Sequence, residues 1–287
     1  MRNLLILLAL AMWAGAVARS AGAASVPKDL VKAELLADVS AVKPGEEFTL
    51  GVLLKIKPDW HVYWKYPGDA GLPTTVKWKL PNASADSTQP ELRFPLPVRF
   101  DQPGDVVGYG YNDEVLLTAR VKAPHGSVGS ATEFTADVAW LVCEKICIPG
   151  KAKLSLSIPL AEKTTAADQE LFGKWVVQLP KPFLGEPGRP IKALRLDQVG
   201  DRQYQADVHW PAGEKLQDVQ WFPLPPKALG VEDAQTKSQG NESVFSFTLV
   251  PKPKDSVKMQ FLVTYTDSNG KRQGVEFSEN LPTPPSK

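Results

Sequence analysis

Strict alternation of apolar and polar residues, broken at short intervals by Pro, Gly or Asx, constrains this chain more than any other feature. "EFTLGVLLKIK" (47–57) puts Phe48, Leu50, Val52, Leu54 and Ile56 on one side of an extended chain. "EFTADVAWLVC" (133–143) does the same with Phe134, Ala136, Val138, Trp140 and Val142. "EVLLTARVKA" (114–123) and "KAKLSLSIPL" (151–160) follow suit, the latter through Ala152, Leu154, Leu156 and Ile158. A period of two suits a strand with one face on a core and one in water, whereas a helix needs about 3.6. The 26 prolines among 287 residues favour many short strands joined by rigid turns. The expected fold is all-β, with residues 30–160 forming an antiparallel sandwich of immunoglobulin-like type.

One stretch reads differently. "TTAADQELFGKWVVQLP" (164–180) opens on a Thr cap and carries Leu171, Trp175, Val176 and Leu179 at roughly helical spacing. Proline-rich "PKPFLGEPGRP" (180–190) reads as a linker. Strand patterns then return in "YQADVHW" (204–210), "VQWFPL" (219–224), "SVFSFTLV" (243–250), "VKMQFLVTY" (257–265) and "GVEFSENL" (274–281). "DSNG" (267–270) supplies a hairpin turn between the last two. The expected organisation is a sandwich at 24–162, a helix and linker at 163–189, and a second, smaller β-sandwich domain at 190–287.

The first residues predict export. Arg2 is a positive n-region, Leu4 to Ala18 is an apolar run, and Ala21-Gly22-Ala23 has the small-x-small form of a cleavage site. That is the pattern of a signal peptide over residues 1–23. Later stretches fall short of the roughly 18 apolar residues a membrane span needs, so direct membrane insertion is not expected. Loss of Arg2 and Arg19 takes the 33 basic residues to 31 against 32 acidic ones, a net charge near −1. So even a balance offers no footprint for nucleic acid or for an anionic membrane.

The two cysteines of the chain, Cys143 and Cys147, lie three residues apart in "WLVCEKICIPGKAKLSL". A disulfide needs Cβ atoms about 3.5–4.5 Å apart. Four residues along one strand put them roughly 13 Å apart, and an i, i+4 helical pair sits at about 5–6 Å. A hairpin with Glu144-Lys145-Ile146 as its loop would bring them face to face. Such a bond is either a stabilising staple or a redox-active pair. The chain-entropy model gives so small a ring about 2 kcal/mol, against about 4.7 for a hundred-residue loop. A tight ring at an exposed tip is also easily reduced. Metal binding is poorly served, since two thiolates need two more ligands and the exported chain offers His61, His125, His209 and Met259. No cofactor motif is present: G-x-S-x-G, H-E-x-x-H and a phosphate-cradling glycine loop are all missing.

"WLVCEKICIPGKAKLSLSIPL" resembles the active-site hairpin of the amino-terminal periplasmic domain of the thiol:disulfide interchange protein DsbD, and more closely that of ScsB-type proteins. "IKPDWHVYWKYPGDAGLPTTVKWKLP" (56–81) and "GYGYNDEVLLTARV" (108–121) are similar to two further blocks of that family. The three-residue cysteine spacing departs from DsbD and follows the ScsB branch. The resemblance implies a periplasmic location and an immunoglobulin-like fold whose hairpin cysteines cycle between dithiol and disulfide. It implies two partners: a thioredoxin-like periplasmic domain or a DsbD-like membrane electron donor, and a disulfide-bearing client. Cys143 and Cys147 match the redox pair, with Cys147 bonded to the partner and Cys143 resolving. His61 and Tyr63 fall where the family has ring side chains beside the cysteines. The stretch 101–111, with Asp105, Val106, Tyr109 and Tyr111, falls where a cap loop shields them. The competing reading is a non-catalytic tandem β-sandwich binding module with a structural hairpin disulfide, docking to another exported protein or to copper-stress machinery.

Overall fold

The computed structural model describes residues 30–81, 88–102, 104, 106–183, 191, 193–211 and 216–282. The expected signal peptide, Asp105 and linker residues 184–190 lie outside the described residues. The alternating segments form two stacked sheets. The narrower has three antiparallel strands in the order Val31–Ala37, Glu47–Ile56, Glu114–Lys122. The wider runs Cys147–Pro159, Ala131–Cys143, His61–Gly68, Val106–Asn112, Val98–Gln102. Thr75–Lys79 also pairs with Ala131–Cys143.

Period two decides what is buried. Phe48, Leu50, Val52, Leu54 and Ile56 share one buried cluster with Phe134, Ala136, Val138, Trp140 and Val142. Phe48 and Phe134 meet edge to face across the sheets at 5.3 Å. Each such side chain contributes about 1.5–3 kcal/mol by leaving water, which fixes the register: a one-residue slip would turn the whole row outward. Cys147–Pro159 lies at the edge of its sheet, where Pro149, exposed and without an N–H, blunts further strand addition.

The helix is shorter than its periodicity predicts. It spans Gln169–Val176 and is entered from Asp168, which has left-handed backbone and makes no side-chain cap bond. The threonines serve the sheets instead: Thr165–Ala166 pairs with Val39–Ala41, and Lys43 N donates to Thr164 Oγ1 at 3.1 Å. Phe172 and Trp175 join the first buried cluster, while Val176 is exposed.

Two four-stranded sheets make the second unit. One runs Lys181–Pro182, Arg272–Asn280, Lys258–Thr266, Gln217–Leu224; the other runs Ala193–Gln198, Gln203–His209, Glu242–Val250, Gly230–Gln239. The outer strands Ala193–Gln198 and Gly230–Gln239 carry no alternation that the sequence reading detected; the latter buries Val231 alone. Asp267 closes the expected turn, its Oδ1 accepting from Asn269 N at 3.0 Å and Lys271 N at 2.9 Å.

The two units share a junction. Phe222 and Leu262 of the second complete the buried cluster of the first, with Phe222 5.9 Å from Trp64 and 5.0 Å from Tyr109. Arg272 donates to the carbonyls of Leu96 and Pro97, and Lys65 pairs with Glu276 at 2.5 Å.

Candidate functional site

The site begins at the hairpin between Ala131–Cys143 and Cys147–Pro159. Their register sets Cys143 opposite Cys147, with Cα atoms 4.2 Å apart and the two sulfurs bonded. Glu144 to Ile146 form the loop, closed by Glu144 N donating to Ile146 O at 3.2 Å. The two halves of the bond live in different surroundings. Cys143 ends an inner strand, flanked on its other side by His61, and is 0% exposed. Cys147 opens the edge strand and is exposed. Ile146 beside it shows 64% of its surface and Leu72, on the loop after His61–Gly68, shows 60%. Glu144 and Lys145 pair loosely at 4.0 Å, with Lys145 almost wholly in solvent.

Beneath the bond lies an aromatic floor. His61 and Tyr63 alternate on the strand His61–Gly68 and so project to the face that carries Cys143. Tyr63 is fully buried, and its hydroxyl donates to Cys143 Sγ at 3.4 Å and stands 4.0 Å from Cys147 Sγ. Gln102 Nε2 donates to the same hydroxyl at 3.1 Å. Phe100 lies tilted against His61 with ring centroids 4.0 Å apart, and His61 meets Tyr63 edge to face at 5.3 Å. Among the described residues, buried His61 Nε2 has no hydrogen-bond partner. Desolvation lowers its pKa from the ordinary 6.5, holding it toward neutral.

Two glycines make room for this floor. Gly71, at φ +109°, lies so close to the Tyr63 ring that a Cβ would come within 2.5 Å of it. Gly108 is paired directly with Phe100, where a Cβ would meet that ring at 2.1 Å. Alternation therefore divides "VVGYGYN". Gly108 and Gly110 share the face of their partners Phe100 and Tyr63, and Tyr109 and Tyr111 take the other.

The structure thus brings His61 and Tyr63 to the cysteines and sends Tyr109 and Tyr111 elsewhere. Tyr109 packs on Phe222 at the junction, and burial raises its pKa well above the usual phenol range. Tyr111 is buried with its hydroxyl donating to Pro95 O at 2.7 Å. Val106 pairs with Gln102 and is half-buried in the hairpin of the expected cap. Asp105 is outside the described residues. Phe100 lies outside the expected cap stretch, and Gln102 lies inside it without being singled out. The one signal for them was the Gly-x-Gly spacing of "GYGY", which on a strand marks a face cleared for a large neighbour.

Chemically, such a bond can be opened by a thiolate attacking the exposed sulfur, with the buried one as leaving group. An immunoglobulin-like fold with a disulfide across a hairpin tip fits thiol:disulfide exchange in general. Residues 28–159 match the family model "Thiol:disulfide interchange protein DsbD, N-terminal", and this part of the chain belongs to that family. Over 88% of this chain and 95% of the other, the fold matches the crystal structure of the N-terminal periplasmic domain of ScsB from Proteus mirabilis, with a TM-score of 0.68 and 17% identity. The E. coli chaperone DraB overlaps 86% of this chain and 98% of its own at a TM-score of 0.21 and 11% identity, too loosely to bear on this fold. A search of the curated proteins finds no match. Among the described residues no helix is long and apolar enough to cross a membrane.

Proposed function

We propose that this chain is a periplasmic relay that carries electrons between a thioredoxin-like donor, or a DsbD-like membrane protein, and disulfide-bearing clients. Residues 24–162 are its redox domain, 163–189 its helix and linker, and 190–287 a second β-domain, the whole exported by the signal peptide at 1–23. The observation that supports this reading best is the asymmetric disulfide, with Cys147 exposed and Cys143 buried. A donor thiolate attacks the Cys147 sulfur, the S–S bond breaks, and Cys143 leaves with the electron pair. The donor's second thiolate then forms the donor disulfide and releases Cys147. Two electrons and two protons have entered the chain. Toward a client the order reverses: Cys147 attacks the client disulfide, and Cys143 attacks Cys147 to free the client's second thiolate.

Equilibration in graded dithiothreitol buffers, followed by alkylation and mass, tests the reading. The pair should reduce and reoxidise reversibly with the β-fold intact, and Cys143→Ser should accumulate mixed disulfides through Cys147. A pair that stays oxidised below about −300 mV behaves as a structural disulfide, and the binding-module reading would replace this one.

A further inference from the structure

We propose that Gln102 is a positioning residue for disulfide exchange: by donating to the Tyr63 oxygen, it directs the Tyr63 proton onto the Cys143 sulfur. The inference rests on the exchange reading and adds to it a residue outside the cysteine hairpin. A phenol has one proton to give and accepts at its oxygen. Gln102 Nε2 occupies that oxygen at 3.1 Å. The proton is then free for an acceptor, and Cys143 Sγ at 3.4 Å is nearer than Cys147 Sγ at 4.0 Å. Tyr63 itself has little freedom to turn away. Its carbonyl accepts from Thr74 Oγ1 at 2.7 Å and Thr74 N at 3.3 Å, and Gly71 lies against its ring.

In the disulfide, sulfur is a weak acceptor and the bond matters little. When a thiolate attacks Cys147, negative charge arrives on Cys143, a residue sealed from water. Burial disfavours that thiolate. A fixed O–H aimed at the place where charge develops offsets the cost, and hydrogen bonds to ionised groups are roughly twice as strong as neutral ones. In the return direction the same bond holds Cys143 as the thiolate that attacks the Cys147–client bond. Among the described residues, the charged and titratable neighbours do not supply this. His61 is held toward neutral by burial, and Glu144 and Lys145 offset each other at the solvent-exposed tip.

The test is titration of the Cys143 thiol in the chain carrying Cys147→Ser, read by thiolate absorbance. Tyr63→Phe deletes the donor and should lower the thiolate fraction at neutral pH roughly tenfold, the size of one charge-assisted bond. Gln102→Glu turns a donor into an acceptor that captures the Tyr63 proton, and should lower it comparably. Because the new carboxylate also repels the thiolate directly, the same change is made in the Tyr63→Phe background. The Gln102→Glu effect must be several-fold larger with the tyrosine present. Equal effects in the two backgrounds overturn the proposal, since charge repulsion alone would then explain them. Gln102→Met removes the donor without adding charge and should also lower the thiolate absorbance at neutral pH; an unchanged titration overturns it too. Exchange with reduced thioredoxin is measured separately on the chain with both cysteines. Its absence removes the relay reading and leaves the titration standing, whereas an unshifted titration removes Gln102 and leaves the relay.

Discussion

The two β-units solve the same packing problem with different materials. The second is built around a stack of rings, with Trp221 4.4 Å from Phe245 and 4.5 Å from Phe261, and Phe247 and Phe277 close behind. The first is filled mainly by Leu, Val and Ala, and it keeps part of its aromatic content, His61, Tyr63 and Phe100, for the floor under a sulfur–sulfur bond. The second closes most of its core on its own rings and lends Phe222 and Leu262 to the first. The first carries its disulfide at its rim, with one sulfur's residue buried and the other exposed. Aromatic rings in the first unit thus serve both the core and the floor beneath the disulfide, while in the second they supply bulk to the core.

The sharpest way to break that comparison is at the bond. Cys147→Ser should abolish exchange with a protein partner and trap nothing, whereas Cys143→Ser should trap a mixed disulfide. Gel-shift and mass analysis after reaction with a disulfide-bearing protein read the difference, and equal trapping by both variants would remove the assigned asymmetry. Trp221→Ala should cost the second unit about 3–5 kcal/mol, the usual penalty for emptying a large core position. Urea unfolding measures the loss, and the Cys143–Cys147 potential should stay put. Arg272→Ala removes charge-assisted bonds to the carbonyls of Leu96 and Pro97, for a loss of about 1.5–3 kcal/mol. Here the midpoint should fall without a change in iodoacetamide reactivity of the reduced pair.

The smallest effect concerns His61. Its folded pKa is depressed by burial, so below pH 6.5 the unfolded chain binds a proton that the folded chain refuses. Stability should therefore decline as pH falls from 6.5 toward the folded value. In His61→Leu this part of the slope should vanish. Denaturant midpoints across pH 4.5–7.5 would show it, and parallel curves for the two proteins would place the acid sensitivity elsewhere.

Much of the fold was legible because strand periodicity is local. Leu50, Val52 and Leu54 are buried for the reason their spacing suggested, and "DSNG" turns where Asp267 can bond its own backbone. Gly230–Gln239 escaped because an edge strand needs no apolar row. The threonines before the helix misled because pairing with Val39–Ala41 outcompeted capping. At the site, hairpin arithmetic brought the sulfurs together, and the family blocks pointed to His61 and Tyr63. They pointed equally to Tyr109 and Tyr111, which sit on the opposite face of their strand.

Alone, then, the sequence determined the alternation that makes sheets and the three-residue loop that sets Cys143 beside Cys147, since both follow from neighbours a few bonds away. Tertiary structure decided which sulfur meets solvent, which rings lie under it, and that Gln102 reaches Tyr63. Those contacts depend on register between strands far apart in the chain, and register is settled by burial of whole rows of side chains rather than by any one segment.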